Sequence, residues 1–345
     1  MANVTNNGRN DRFYSNDEHF GQPNGRLAQK LQAKWRSRWP CWFGPFTGVS
    51  CVNAPYTPVP YTPWHALLEL EFAPQPDSSA LGGRTVLSKR RSIGPLRVQK
   101  ALWPEPTGVC HVILIHPPAG IAGGDSLEVS VKVAAHAHAL LTTPGAGKWY
   151  KSDGRPAQQQ IALDVAADAV LEWLPQEAML FDQAIARSHT KIRLEESAAF
   201  IGWEILVIGR PARGEQFDAG QYHGHLALWR AGRLLVDDRL AFSGGDRWLS
   251  SPLGLDGQAV SGLMLAVPPV HRREEAVLDQ DIAVLRDLIA RMQMPLVVTR
   301  LDDVLVARYL GTDPRQAMDG FSGIRAKLRR HWFDLAEELP RIWRT

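Results

Sequence analysis

The sequence predicts a mainly β fold with two α-helices near its C-terminus, α+β by strict count. Three observations carry this. Beyond His65, apolar and polar residues alternate at period two through most of the chain. Gly-Gly and Pro-Gly pairs (Gly82–Gly83, Gly123–Gly124, Pro144–Gly145, Gly244–Gly245) punctuate the runs, as many short strands turning back on themselves require. An apolar period of three to four residues shows only late in the chain.

The elements follow in order. Residues 1–30, rich in Asn, Gly, Arg and Gln, have little to bury and read as disordered. From Trp35 to Pro63 the chain turns to Trp, Pro, Cys and Phe, and PYTPVPYTPW (Pro55 to Trp64) favours an extended, polyproline-like linker. Residues 1–63 thus read as a basic N-terminal extension or as the product of an upstream start site, and 64–345 as the β-rich domain. Leu127, Val129, Val131, Val133, Ala135 and Ala137 alternate with polar or small residues, which predicts one long half-buried strand. KIRLEE (Lys191 to Glu196) and IGWEILVIGR (Ile201 to Arg210) are further strands. HLALWRAGRLLVDDRLAF (His225 to Phe242) reads as a hairpin turning at Ala231–Gly232. Leu278, Ile282, Leu285, Ile289 and Met292 line one face of a helix over about 272–292. Thr312, Asp313 and Pro314 supply the cap and first turn of a second helix, over about 314–336, whose apolar face is Phe321, Ile324, Leu328 and Trp332.

Composition narrows the class. At 345 residues and 45% hydrophobic, the chain can bury a large core. Residues 1–64 hold seven Lys/Arg against three acids, so the overall charge of +3 divides into +4 there and −1 in the remainder. A nucleic-acid surface on the folded body is therefore not indicated. Cys41, Cys51 and Cys110 form no C-x-x-C pair and no even disulfide set, which fits a reducing compartment. Apolar runs such as Val112 to Ile115 are too short to span a bilayer, and the N-terminus lacks a secretory pattern. The expectation is a soluble cytoplasmic protein.

The motifs point to binding rather than turnover. PGAGKW (Pro144 to Trp149) fails as a phosphate loop, because Thr142 stands where the first Gly is needed and Trp149 where Ser or Thr must meet magnesium. It reads instead as a tight Gly turn presenting Lys148, Trp149 and Tyr150. In HPPAGIAGGD (His116 to Asp125), Asp125 either caps a turn or faces an internal water-filled path. His136 and His138, two apart on the expected strand, share a face and form either a surface pair or a two-His clip for a divalent metal. Glu172, Glu177, Asp182 and Glu204 interrupt apolar stretches, where a carboxylate is costly unless paired or hydrated. They either pair with arginines such as Arg187 or Arg210, or line a path that binds a divalent ion weakly. A paired-carboxylate carbohydrate hydrolase is the alternative from a different class. No Ser-His-Asp or Cys-His arrangement is present, so no catalytic residue is assigned.

Four blocks in fixed order carry a resemblance: GPLRVQKALWPE (Gly94 to Glu105), HPPAGIAGGD, TTPGAGKWYKSDG (Thr142 to Gly154) and LEWLPQEAMLFDQA (Leu171 to Ala184). With GRPARGEQF (Gly209 to Phe217) and the terminal LPRIW (Leu339 to Trp343), they resemble the urease accessory proteins of the UreD (UreH) family, from about Trp64 onward. Lys148 and Trp149 depart from the family's glycine block, and the first sixty-odd residues have no counterpart in it. The resemblance implies stacked, helix-like β architecture and a non-enzymatic role in nickel insertion. It also implies partners: apo-urease, a UreF-type protein and a UreG-type GTPase, with a dimer as an option in that complex. No tightly bound cofactor is expected, since nickel would be handled transiently. Asp125, Glu177 and Glu204 are the expected residues of a nickel path, within a process of nitrogen metabolism.

Overall fold

A computed structural model of the protein describes residues 62–75 and 83–344. The sequence readings for residues 1–61, including the linker, Cys41 and Cys51, lie outside the described residues.

Two sheets account for most of the fold. The seven-stranded sheet contains β1 (His65–Pro74), β2 (Thr85–Ile93), β5 (Ser126–Val133), β8 (Ala157–Val165), β11 (Ile185–Leu194), β13 (Gln221–Arg230) and β14 (Arg233–Ser243), ordered β14-β13-β11-β8-β5-β1-β2. The ten-stranded sheet is built on β3 (Arg97–Leu102), β4 (Cys110–Ile115), β6 (His138–Thr142), β9 (Val170–Leu174), β12 (Ala199–Ile208), β15 (Val260–Val267), β16 (Leu296–Leu301) and β17 (Val304–Gly311), ordered β16-β17-β15-β12-β9-β6-β4-β3. Short β7 (Gly147–Trp149) and β10 (Ala178–Leu180) pair with each other, and β10 pairs with β12.

The chain alternates between the sheets as it winds: β5, β8 and β11 pair in parallel in one, while β6, β9 and β12 pair in parallel in the other. The result is a stack of coils, as the resemblance implied. Each coil turns the corner at the same place. Ala134–Ala137, Ala166–Ala169 and Glu195–Ala198 each close an i to i+3 backbone bond of 3.1 to 3.2 Å. Successive turns are laddered by Ala166 N to Val133 O and Glu195 N to Val165 O, both 2.9 Å. The repeated V-A-A-H-A, V-A-A-D-A and L-E-E-S-A segments at Val133, Val165 and Leu194 are the sequence trace of this corner.

These corners correct the single long strand expected over 127–137. β5 ends at Val133, and His136 sits in the turn at φ 62°, a left-handed backbone no strand can hold. Ala and His kept the period-two pattern running through the corner, which is why alternation alone misreads it. His138 opens β6 in the other sheet, so His136 and His138 do not share a face. His136 is largely exposed, whereas the His138 ring is bonded to Glu172.

The strand expected over Lys191 to Glu196 is the end of β11, which begins at Ile185 and stops at Leu194, so Glu195 and Glu196 lie in a corner; the other elements fall close to expectation. The hairpin of β13 and β14 turns at Ala231–Gly232, with Ala231 at φ 45° and Gly232 at φ 79°. A short helix, α1 (Arg247–Ser250), was not anticipated. α2 (Glu275–Met292) and α3 (Pro314–Phe333) are the two expected helices. Asp313 caps α3 by accepting from Arg315 N at 2.8 Å, and Asp334, at φ 52°, ends it three residues before the expected limit.

Apolar residues separate into two cores. One fills the space between the sheets, with Phe72, Leu163, Phe200 and Val267 among its members. The other lies between the ten-stranded sheet and the helices, where Trp203, Ile205 and Tyr309 meet Leu285, Phe321 and Trp332. No described helix is long and apolar enough to cross a membrane. Cys110 is buried, and burial pushes its thiol up to about 12.

Candidate functional site: an internal cavity

A cavity of about 460 Å³ lies between the two sheets. At one end its wall comes from the loops after β4, β6 and β9: His116 to Ile121, Thr143 to Trp149 and Pro175 to Ala178. The glycine turn behaves as its sequence suggests: Trp149 packs into the core, and Lys148 borders the cavity. Gly147 N donates to Glu177 O at 2.9 Å, and Ile121 N to Lys148 O at 2.7 Å, so the three loops are tied together. The Gly120 position faces the Tyr150 ring, and a Cβ there would lie 2.4 Å from ring carbons.

Further in, the inward faces of β11, β12, β13 and β14 supply Ser188, Glu204, Tyr222 and Asp238. Glu204 bridges the sheets, accepting from the Thr190 hydroxyl at 2.5 Å. Burial raises its carboxyl above the ordinary range; the Thr190 bond opposes this, and the negative charge of Asp238 adds to it. Burial likewise pushes Tyr222 up, with Glu204 and Asp238 contributing. At the loop end, burial lowers the His116 imidazole, although Asp125 pulls the other way.

The three residues expected to form a path are not alike. Glu177 and Glu204 line the one cavity. Asp125 is outside its lining and nearly fully buried, accepting from Trp64 N at 2.7 Å and Ala122 N at 2.9 Å. These bonds hold the His116–Asp125 loop against the start of β1. Among the described residues, no three of His, Cys, Asp and Glu stand close enough to hold a metal ion together.

The remaining acids have other partners. Asp182 accepts from Asp218 N and Ala219 N, each at 2.9 Å. Arg210 pairs with Glu215, not with the cavity acids. Glu172 is fully buried on the opposite face of its sheet, beneath α3, paired with arginines as one sequence reading allowed, though with Arg325 and Arg329, not Arg187 or Arg210. It accepts from Arg325 Nε at 2.5 Å and is bonded to His138 Nε2 at 2.8 Å, while Arg329 Nη1 lies 3.4 Å away. Arg329 also pairs with Glu105, which meets His111 Nε2 at 2.6 Å. Only the i, i+4 spacing of Arg325 and Arg329, on a face otherwise apolar, could have signalled this network.

Glu204 yields a prediction about stability. A carboxyl raised in the folded state contributes stability below its unfolded value, and that contribution is lost as pH climbs through the folded value. Glu204→Gln removes the charge, so its melting temperature should exceed wild type at pH 8 and the advantage should shrink toward pH 4. Thermal unfolding at the two pH values checks this; a deficit that grows with pH would show the charge to be stabilising.

Fold and cavity together define a stacked-β protein with a mainly apolar cavity between its sheets, in which Glu177, Glu204 and Asp238 stand, and with a helical layer covering one sheet. Residues 65–344 match the model of the UreD urease accessory protein family. A curated relative from Acinetobacter baumannii, named urease accessory protein UreD, is 55% identical over 282 residues, spanning 82% of this chain and 95% of the relative. Proteins of the same name from Dechloromonas aromatica and Pseudomonas fluorescens are 42% and 40% identical, covering 95% and 100% of those relatives and 82% and 85% of this chain. The chain belongs to the UreD family of urease accessory proteins.

Proposed function

We propose that this protein acts in urease maturation as a non-enzymatic scaffold for nickel insertion into apo-urease. It does so in a cytoplasmic complex with a UreF-type protein and a UreG-type GTPase, and its cavity offers the ion a path. The observation that supports this is the placement of Glu177 and Glu204 along one cavity in a chain of the urease accessory family. Nickel is cargo here, not a resident cofactor. A divalent ion inside a protein must exchange its water for other ligands, and carboxylate oxygens at successive positions supply them without trapping it. Asp125 serves the path by holding the loop that borders it. The carbohydrate-hydrolase alternative loses two of its four acids, since Glu172 and Asp182 are committed to ion pairs and backbone donors.

The double variant Glu177→Gln/Glu204→Gln tests the path. Complementing a deletion strain, it should leave the partner complex assembled and lower the nickel bound per urease by about tenfold, a change of ~1.4 kcal/mol in transfer. Asp125→Asn should instead lower the melting temperature, since its two backbone donors lose a charged acceptor. Wild-type nickel loading by the double variant means these acids are not a path.

A further inference from the structure

We propose that the outward face of β11 is a docking surface for a protein partner that presents carboxylates. Strand alternation sends Arg187, His189, Lys191 and Arg193 to the solvent side and Ala186, Thr190 and Ile192 to the core. After Ile185 at its start, the outward side chains of this strand are three cations and His189, whose imidazole is lowered by burial and by the nearby His225 and Lys191, on a body (residues 65–345) whose net charge is −1. Arg193 is matched by Asp164 on β8, with Nη2 and Oδ2 2.8 Å apart. Arg187 and Lys191 have no carboxylate partner among the described residues; Lys191 Nζ lies 5.8 Å from the Trp229 ring centroid.

The neighbouring strands leave this charge uncompensated. Arg187 stands between Gln158 of β8 and His223 of β13, and Lys191 between Ala162 and Ala227. His189 stacks on His225 at 4.8 Å, and Asp237 is occupied by His225 at 2.5 Å and by Arg239. Along the same face, next to Lys191 and Trp229, opens a groove of about 1240 Å³ that crosses from β1 to β13. Arg187 and Lys191, four residues and so about 13 Å apart along the strand, each present a charge that a partner's carboxylate would neutralise.

Charge complementarity decides the kind of partner. Asp164, Asp237 and Glu195 are set among the cations. A uniform polyanion would meet repulsion at each of them, whereas a protein face of mixed sign, acidic opposite Arg187 and Lys191, would not. Trp229 adds an aromatic anchor of the sort enriched in protein interfaces.

The inference takes its probes from the proposed function: purified apo-urease, the UreF-type protein and the UreG-type GTPase, each titrated against the full chain. One of them should bind the wild type with an affinity that falls steeply as salt is raised past about 0.15 M. Arg187→Glu/Lys191→Glu should weaken that probe by at least about tenfold with an unchanged melting temperature. Restoring charge with Arg187→Lys should recover most of the binding. The proposal is overturned if no probe binds, if the double variant binds as wild type, or if duplex DNA or phosphatidylserine vesicles bind this face more tightly than every protein probe. Its failure is separable from failure of the maturation reading. That reading falls if a strain lacking the protein loads urease normally, whereas a nickel-poor strain fully rescued by the double variant sinks only the docking face.

Discussion

Glu172→Gln should destabilise the folded chain by about 3–5 kcal/mol, the cost of leaving a buried guanidinium without its counter-charge. The carboxylate is fully buried and shared by Arg325, Arg329 and His138. Burial would raise its titration, but the two arginines and the His138 bond outweigh that and hold it well below the usual carboxylate range. A carboxyl depressed in this way contributes stability above its unfolded value and loses it as pH falls through the folded one. The deficit should therefore persist across neutral pH and narrow only in strong acid. For a domain of this size it amounts to roughly 10 °C in melting temperature.

A second substitution separates charge from shape. Glu172→Leu combined with Arg325→Met removes the central ion pair and should be closer to wild type than Glu172→Gln alone, because the remaining buried cation, Arg329, keeps Glu105 as its counter-charge. Denaturant unfolding of the three proteins measures this. A Glu172→Gln protein within about 1 kcal/mol of wild type would show that the arginines are satisfied elsewhere. The network matters for architecture because it joins β9 and the β3–β4 connection to α3, and Arg325 Nη1 goes on to the Glu338 carbonyl at 2.8 Å. From there the C-terminal segment reaches the loop end of the cavity: Trp343 Nε1 donates to the Thr142 hydroxyl at 2.9 Å, and that hydroxyl donates to Leu174 O at 2.6 Å.

The largest functional effect should follow from removing the protein altogether. A deletion strain should make its urease subunits at ordinary levels while urease-bound nickel and activity fall by at least about a hundredfold, ~2.7 kcal/mol in delivery. The reason is chemical. Hydrated Ni²⁺ parts with its water slowly unless ligands replace it in turn, and the proposed path supplies them between the two sheets. Complementation with residues 64–345 should restore both readouts, because family similarity begins at residue 65. Metal analysis of purified urease decides the matter: normal nickel in the deletion strain removes the maturation role. Normal nickel with the whole chain but not with 64–345 would assign work to the N-terminal residues.

Much of this was legible in the order of residues, and the limit is physical. Period-two alternation located β5, β12, the β13–β14 hairpin and the last four residues of β11, because a side chain's face on a strand depends only on its parity. The helices were equally plain, since Phe321, Ile324, Leu328 and Trp332 return to one side at helical spacing and Asp313 caps locally. Motif order alone identified the family, and with it the stacked architecture. Alternation could not show the corner at Ala134–Ala137, where a period-two pattern runs on through a turn of the chain. Nor could it tell which acids share a space. Glu177 and Glu204 meet a common cavity because separate coils stack, Asp125 is taken up by two backbone donors, and Glu172 faces the helices because its strand turns that side outward. Glu172 and Arg325 touch although they stand 153 positions apart in the chain. Local sequence determines each strand and helix through short-range sterics and capping, whereas the pairing of buried charges and the enclosure of a cavity exist only once distant coils close on one another.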